Sequence, residues 1–407
     1  MIGKASVPAY GFAYAQISKD TATYTGKPES LEKGQQIVKD EQSLTYLGYD
    51  EHSSLLNFQY VDSALGVDET VQFSVRYWQS YVLDHYDHPF ASGAYCFRPM
   101  RGQPEAFPYG KVTESKVSLN GQNQAVEFTF FLEKDAYGAK NQERSVVTVG
   151  FSSDPARSGA IRFDVTLDSL PYKALNDGFE VVTQFKVKGM KTDKTFYTDS
   201  NGLDMQKRVL DYRPTWDLTY PDPYMKENVT ANYYPVNSAI AVEDSKIRMT
   251  VLNDRSQGGS SLEDGTVELM QNRKIPADDN KGVGEWLMEK NEFGRGIRVK
   301  ASYHLVISKA GDTLPQRKTQ IAIENPLQYF FSDSAKLDGT GTPLGLDKAF
   351  ANAGVKDGVR MLMYPKDRNL IQFRFENMHE NASAKVDLAG IVIPLWDAIN
   401  GAAGTGV

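Results

Sequence analysis

Hydrophobic and polar residues alternate along much of this chain. From Val71 to Tyr77 the apolar side chains occupy every second position, with Gln72, Ser74 and Arg76 between them, and residues 161–167 repeat the pattern. A period of two is typical of a β-strand that buries one face. The same pattern predicts strands at residues 126–130, 179–187, 297–307 and 371–375.

Turn signals separate the predicted strands, which favours antiparallel pairing. They are Asn120-Gly121, Asp177-Gly178, Asp264-Gly265 and Asp357-Gly358. Asn-Gly and Asp-Gly pairs suit tight hairpin turns. Helical stretches are few, and one is expected within residues 343–353. The predicted architecture is one of antiparallel β-sandwiches, with a domain change near residues 309–323 and a loose tail or truncation at residues 400–407.

Composition narrows the class of protein. A chain of 407 residues is long enough for two or three domains. It holds 45 Lys and Arg against 52 Asp and Glu, a formal net charge of -7 without a long basic run, so nucleic-acid binding through phosphate neutralisation is disfavoured. No stretch approaches the roughly 20 apolar residues of a membrane helix, so no membrane span is expected.

A luminal location remains open. Cys96 is the single cysteine, so no disulfide forms within the chain. Two glycosylation triplets begin at Asn228 and Asn381. The first residues lack the apolar core of a signal peptide, so a luminal protein would have its true N-terminus upstream, and this chain would be a piece of something longer.

The candidate metal and nucleophile signals are weak. Asp84, His85, Asp87 and His88 form a short cluster whose imidazoles and carboxylates suit zinc, but no helix fixes their geometry, so a solvated loop is the favoured interpretation. His304 falls within a predicted strand and is expected to be a packed or an edge residue. Cys96 has no nearby His and Asn arrangement, and no Gly-rich phosphate loop opens a helix.

The densest polar region runs from residue 196 to residue 285. It contains the segments 196–202, 212–216, 232–238, 254–262, 268–274 and 278–285. Asn, Asp, Arg and Gln offer hydrogen bonds to sugar hydroxyls, Tyr and Trp offer flat apolar faces, and Gly pairs allow close approach of the backbone. These residues are either sugar-contacting or polar turns between strands.

In their order and spacing these segments resemble the C-terminal half of glycoside hydrolase family 38 α-mannosidases, the lysosomal type most closely. Ser92-Gly93-Ala94-Tyr95-Cys96-Phe97-Arg98-Pro99 and Val7-Pro8-Ala9-Tyr10-Gly11 resemble two further family segments. The resemblance implies a mostly β fold: a large antiparallel sandwich of supersandwich, galactose-mutarotase-like type over residues 21–312, with smaller β-sandwich domains. Residues 1–20 would be a small β segment joining the catalytic half, and residues 313–407 a C-terminal sandwich.

The resemblance also implies a division of labour. In the family the N-terminal catalytic domain carries the zinc ligands and the two carboxylates of the retaining mechanism, and the motifs that supply them are not found in this chain. No catalytic residue and no bound metal are therefore expected here, and zinc would belong to the complete enzyme. By motif position Tyr95 becomes a hydroxyl partner of the substrate and Arg273 a pocket residue. The weaker candidates for the pocket wall are Asp199, Asn201, Arg255, Gln257, Gly258 and Gly259.

Two hypotheses of different class follow. In the first, the chain is one polypeptide of a lysosomal or secreted α-mannosidase, with the catalytic N-terminal polypeptide and mannose-containing glycans as its partners. In the second, it is a non-catalytic structural or carbohydrate-binding module derived from the β half. The first predicts that the catalytic part lies against the face carrying Tyr95 and Arg273.

Overall fold

The protein is built mainly of antiparallel strands. The computed structural model describes residues 33–34, 36–39, 42–81, 91–100, 102, 104–106, 109–119, 123–132, 144–151, 159–170, 177–215, 228–326, 358–367, 370–379, 382–393 and 396. The elements in chain order are β1 (Gln36–Lys39), β2 (Gln42–Asp50), β3 (Leu55–Asp62), β4 (Val67–Tyr81), β5 (Glu105–Ala106), β6 (Tyr109–Leu119), β7 (Asn123–Leu132), β8 (Arg144–Phe151), β9 (Ile161–Leu167), β10 (Asp177–Val187), β11 (Thr195–Ser200), β12 (Asp204–Val209), β13 (Tyr234–Val236), β14 (Ala239–Glu243), β15 (Ile247–Asn253), β16 (Gln257–Ser260), β17 (Thr266–Lys274), β18 (Val299–Lys309), α1 (Leu314–Glu324), β19 (Val359–Asp367) and β20 (Leu370–Asn377).

Two large sheets form the body of the molecule. The first sheet has nine strands in the order β1-β2-β3-β4-β10-β17-β16-β13, with β5 paired to β4. The second sheet also has nine strands, in the order β12-β11-β14-β15-β18-β9-β8-β7-β6. The pairings within both sheets are antiparallel, as between β4 and β10 and between β9 and β18. The mostly β fold expected from the alternation is confirmed.

Aromatic side chains from the two sheets meet in one core. Phe163 of β9 stacks on Phe73 of β4 with ring centroids 5.0 Å apart, and it meets Phe185 of β10 edge-on at 5.2 Å. All three rings are buried, as is Phe58 of β3, which contacts Phe163 from another direction. Phe163 therefore lies where strands of opposite sheets interlock, and each aromatic contact adds about 0.5–1.5 kcal/mol beyond area burial.

The predicted strands are present and one predicted turn is wrong. The six stretches with alternating residues fall within β4, β7, β9, β10, β18 and β20, although β18 begins at Val299. Asp264-Gly265 does form a turn, where Gly265 has φ 67° and a Cβ would lie 2.7 Å from the carbonyl oxygen of Val187. Asp177-Gly178 instead starts β10, because its backbone continues the ladder opposite Tyr81 and Ser80 of β4.

The chain separates into two units. One spans Lys27–Glu324, and the other combines Met1–Gly26 with Asn325–Val407. In the second unit β19 and β20 form a hairpin whose Met361 packs with Ile391. The predicted boundaries at residues 20 and 312 and the C-terminal sandwich stay predictions, and the helix expected within residues 343–353 lies outside the described residues.

Helix α1 was not predicted from the sequence. Pro315 stands at its start, where a missing N–H costs nothing, and the Leu314 N–H donates to Asp312 Oδ1 at 3.1 Å. Its buried residues are polar: Gln316, Thr319 and Gln320. Ile323 adds an apolar contact, but polar side chains fill the buried positions, so no apolar stripe reveals the helix. No helix in the described part of the chain has the length and apolar character needed to cross a bilayer.

The core contact of Phe163 gives the first prediction. Phe163→Ala should lower the free energy of unfolding by about 3–5 kcal/mol, since it opens a cavity between the sheets. Leu203→Ala is the control, because Leu203 is 74% exposed and should change stability by less than about 0.5 kcal/mol. Urea unfolding of the chain followed by tryptophan fluorescence measures both. Equal losses in the two variants would contradict the assignment of this core.

Candidate functional site

The candidate site lies on the outer face of the first sheet, where residues 91–100 fold over it. This 91–100 segment is tied laterally to the end of β4: the Tyr81 N–H donates to the carbonyl of Arg98 at 3.0 Å, and the Ser92 N–H donates to the carbonyl of Tyr81 at 2.8 Å. The Met100 N–H donates to the carbonyl of Gln79 at 2.8 Å. The segment is thus fixed to the sheet at both of its ends.

An ion pair joins this segment to the sheet from the side of β17. Glu180 of β10 and Arg273 of β17 are directly opposed in register, so both side chains leave the sheet on the same face. The Nη2 of Arg273 donates to Glu180 Oε1 at 2.7 Å, and its Nε donates to Oε2. Nη2 also donates to the carbonyl of Cys96 at 2.7 Å. One guanidinium therefore links two strands and the 91–100 segment.

Burial makes the Glu180 carboxylate depend on its partner. Glu180 is fully buried. Desolvation raises the pKa of Glu180, while the hydrogen bonds and the charge of Arg273 act in the opposite direction. Removing one member of a buried ion pair costs about 3–5 kcal/mol, because the other charge is left without compensation. Loss of Arg273 would therefore leave the Glu180 carboxylate as an uncompensated buried charge.

Asp279 holds the tip of the 91–100 segment from the opposite side. Its Oδ2 accepts the N–H of Tyr95 at 2.7 Å and the N–H of Cys96 at 3.0 Å, and its Oδ1 accepts the N–H of Lys281 at 3.2 Å. Desolvation raises the pKa of Asp279, but the hydrogen bonds from backbone amides outweigh it and hold that pKa below its ordinary value of 3.8. Gly93 makes the approach possible, since a Cβ there would lie 2.5 Å from Cβ of Asp279.

The result of these contacts is an exposed tyrosine on a fixed backbone. The Tyr95 residue is 67% exposed although its N–H is bonded to a buried carboxylate. Its neighbour Cys96 is tied through its N–H to Asp279 and through its carbonyl to Arg273. A tyrosine offers an apolar face and a hydroxyl that both donates and accepts. Held in this way, Tyr95 suits contact with a polyhydroxylated ligand.

A second buried carboxylate supports the segment from below. Glu268 of β17 accepts hydrogen bonds from Trp78 Nε1 at 3.3 Å, from Gln184 Nε2 at 2.7 Å and from the Tyr233 hydroxyl. Desolvation raises the pKa of Glu268, and these donors act in the opposite direction. The Phe97 ring packs edge-on against Trp78 at 6.1 Å and against Tyr233 at 5.1 Å. Phe97 of the 91–100 segment therefore packs on two side chains, Trp78 and Tyr233, that Glu268 holds by hydrogen bonds.

Sequence reasoning missed Glu180 and Glu268. Both occupy outward positions of their strands, where an acidic residue is ordinarily solvated. A signal was present, because Trp78 and Val182 share this outer face and both are buried. Apolar residues on both faces of a strand indicate that the outer face is covered too.

Asp199 and Asn201 bond to residues of the turn that follows β13. Asp199 Oδ1 accepts the N–H groups of Asn237, Ser238 and Ala239 at 2.8, 2.9 and 3.1 Å. Asn201, with φ 52°, accepts Asn237 Nδ2 at 3.4 Å. These contacts fix the turn between β13 and β14. Sugar contact by Asp199 and Asn201 stays a prediction.

The expected residues on and before β16 serve strand packing in this structure. Gln257 Nε2 donates to the carbonyl of Met270 at 2.6 Å and to the Tyr303 hydroxyl at 2.9 Å. A Cβ at Gly258 would lie 3.2 Å from Met270 Sδ, and one at Gly259 would lie 2.7 Å from Val236 Cγ2. Arg255, in the preceding turn, bonds to Asp254 and to the carbonyl of Lys300. Tyr95 and Arg273 are two of the eight residues expected to contact sugar. They are linked in the structure, because Arg273 bonds to the carbonyl of Cys96, the residue after Tyr95.

The structure describes only some of the residues named in the metal, histidine and glycosylation predictions. The Asp84 to His88 cluster and Asn381 lie outside the described residues. Within the described part of the chain, no group of three or more His, Cys, Asp or Glu side chains could hold a metal ion. His304 is buried in β18, so of the two expected positions the packed one is confirmed.

The family model and the similar proteins point to the same family. The sequence model of the glycosyl hydrolases family 38 C-terminal domain matches residues 67–281. An α-mannosidase of Canavalia ensiformis is 32% identical over 337 residues, which cover 81% of this chain and 32% of the relative. A lysosomal α-mannosidase of Mus musculus is 30% identical over 323 residues, which cover 77% of this chain and 29% of the relative.

A solved structure aligns with a similar share of this chain. The crystal structure of an α-mannosidase from Enterococcus faecalis V583 aligns with 75% of this chain and 33% of that chain, at 13% identity and a TM-score of 0.47. The chain spans about a third of the length of the curated relatives it matches.

The close approach at Gly93 generates a prediction. Gly93→Ala should push the 91–100 segment away from Asp279 and lower the free energy of unfolding by about 1–3 kcal/mol through overpacking. Gly102→Ala is the matched control, because a Cβ at Gly102 meets nothing within 4 Å. Urea unfolding of both variants measures the difference. A loss confined to Gly102→Ala, or no loss in either variant, would contradict the proximity of Gly93 to Asp279.

The lowered pKa of Asp279 predicts a pH dependence. Since its folded pKa lies below its ordinary value of 3.8, the carboxylate stabilises the fold fully above that value and loses the effect as the pH falls through the folded pKa. The melting-temperature difference between the wild-type chain and Asp279→Asn should therefore be constant at neutral pH and shrink below about pH 4. A difference that grows on acidification would show that Asp279 does not act as a charged acceptor.

Proposed function

Since this chain belongs to glycosyl hydrolase family 38, we propose that it is the C-terminal part of an α-mannosidase that hydrolyses terminal α-D-mannose residues of glycans. Its role in that enzyme is to contribute residues to the pocket rim and to support the catalytic domain. The observation that carries the proposal is the 67% exposure of Tyr95 on a backbone clamped by Asp279. A tyrosine whose backbone is already held binds a sugar at a lower entropic cost, because only its side chain remains to be ordered.

Tyr95 and Arg273 have separate tasks in this proposal. The Tyr95 hydroxyl exchanges hydrogen bonds with a mannose hydroxyl, and its ring excludes water from one side of the sugar. Within the described residues Nε and Nη2 of Arg273 are engaged, which leaves Nη1 for a ligand. The partial exposure of the Arg273 side chain fits this second task. The Glu180 carboxylate keeps the guanidinium in place for it.

The bond-breaking groups belong to the proposed partner. A retaining glycosidase needs two carboxyl groups about 5 Å apart that flank the glycosidic bond. In the proposal these carboxyls and the zinc site are supplied by the N-terminal catalytic polypeptide of the same enzyme. The described residues of this chain have no cluster that fits a zinc ion, so no step is assigned to zinc here.

The proposal includes a location in the lysosome or in the secretory pathway lumen. The mouse relative is a lysosomal α-mannosidase. Asn228 is exposed and begins an Asn-Val-Thr triplet, which makes it a glycosylation candidate. Thr230 of that triplet donates its hydroxyl to the carbonyl of Phe97 at 2.9 Å. Asn381 is the second candidate.

A non-catalytic carbohydrate-binding or structural module is the second candidate function. One observation favours it: the Asp279 and Arg273 contacts that present Tyr95 all lie within this chain. The ring would therefore be presented without any catalytic partner. In that case the chain alone binds mannose, and its affinity in calorimetry is unchanged by a zinc chelator.

The hydroxyl of Tyr95 provides the functional test. In the complete enzyme, Tyr95→Phe should lower kcat/KM for an α-mannoside by about 3- to 10-fold, the value of one neutral hydrogen bond, and Tyr95→Ala should lower it further. Tyr364→Phe is the control, since Tyr364 is 44% exposed and lies on β19, outside every segment proposed to contact sugar. Unchanged kinetics in both Tyr95 variants would overturn the role given to Tyr95.

A further inference from the structure

The link between β17 and β18 is a long, well-anchored excursion. It comprises residues 275–298 and is called here the β17–β18 excursion. At its base Ile275 and Leu287 exchange two backbone hydrogen bonds of 3.1 and 2.9 Å. Ile275 and Ala277 are buried and pack with Leu287. A loop longer than about 12–15 residues without regular structure is uncommon in a compact domain and is usually functional.

The far end of the excursion is a turn held by Asn291. The Asn291 N–H donates to the carbonyl of Arg295 at 2.7 Å, and its Oδ1 accepts the N–H groups of Phe293 and Arg295 at 3.0 Å each. Arg298 pairs with Asp168 beyond the end of β9 at 2.6 Å. These polar contacts determine the backbone of the turn without burying the Phe293 side chain.

Large apolar side chains on this excursion face solvent. Phe293 is 77% exposed and Trp286 is 61% exposed, with Val283 and Ile297 about two fifths exposed on either side along the chain. Nearly every residue from 281 to 298 is exposed. Several exposed large apolar side chains close together along one loop favour a surface that another protein covers. A Trp or Phe ring buries about 150–250 Å² when covered, a substantial part of the roughly 800 Å² that each partner contributes to a stable interface.

The charges around these rings favour a protein as the occupant. Glu285, Glu289 and Glu292 alternate with Lys290 and Arg295 along the excursion. Mixed signs suit the polar rim of a protein interface, whereas a nucleic acid or an anionic membrane would require a basic surface.

The family comparison and the position of Asp279 favour one occupant. This chain spans about a third of the length of its relatives, and under the proposed function the catalytic portion of the enzyme is the protein available to cover this surface. Asp279, which clamps Tyr95, belongs to the same excursion. We propose that the β17–β18 excursion docks the catalytic N-terminal portion of the same enzyme through Trp286 and Phe293. The inference rests on the proposed function, and it couples docking to the backbone that positions Tyr95.

Oxidative footprinting tests the docking surface. Hydroxyl radicals are applied to the protein purified from its source and, separately, to the 407-residue chain expressed alone, and side-chain oxidation is measured by mass spectrometry. Mannosidase activity is recorded on the same native sample. Because hot-spot side chains are desolvated at an interface, Trp286 and Phe293 should oxidise about tenfold more slowly in the native enzyme than in the chain alone. Leu203 and Tyr212, of similar exposure, should react alike in both samples.

The outcomes separate the two proposals. An active native enzyme in which Trp286 and Phe293 react as fast as in the isolated chain overturns the docking inference and leaves the proposed function standing. Equal protection of Leu203 and Tyr212 also overturns it, because the protection would then not be specific to the excursion. A native protein without mannosidase activity shows that the proposed function itself has failed, and the docking inference fails with it.

Discussion

The ion pair between Glu180 and Arg273 is the interaction on which the candidate site depends. Glu180 is a buried carboxylate on the outer face of a sheet, and Ser92 of the 91–100 segment is among its partners. Arg273 compensates that charge and donates to the carbonyl of Cys96 with the same guanidinium. Sheet, charge and segment are therefore interdependent. A one-residue slip between β10 and β17 would turn Arg273 into the core and leave Glu180 without its partner.

The fold places the residues of the candidate site around this ion pair. The sandwich core around Phe163 determines the register of the strands, and the strands place Glu180 and Arg273 opposite each other. Asp279 completes the arrangement from the β17–β18 excursion, so that Tyr95 is exposed while its backbone is held. An enzyme gains from such preorganisation, since a ligand that meets a rigid group loses less entropy on binding.

The sequence predicts the fold better than the site. Period-two alternation locates β4, β7, β9 and β10 because each buries one face in a single core. The same pattern cannot show that the outer face carrying Glu180 is covered, since the covering segment lies far along the chain. Helix α1 was missed because its buried face is polar, and Asp177-Gly178 was misread because pairing with β4 overrides its turn preference. Tyr95 and Arg273 are candidates through the family resemblance, and residue patterning alone does not connect them.

Native mass spectrometry of the protein purified from its source tests the central claim most directly. We expect a particle heavier than the 45.4 kDa of this chain, containing a further polypeptide or polypeptide portion together with zinc. A particle with the mass of this chain alone and no zinc would contradict the claim that the chain is part of an α-mannosidase. Tyr95 and its clamp would then belong to a sugar-binding or structural module.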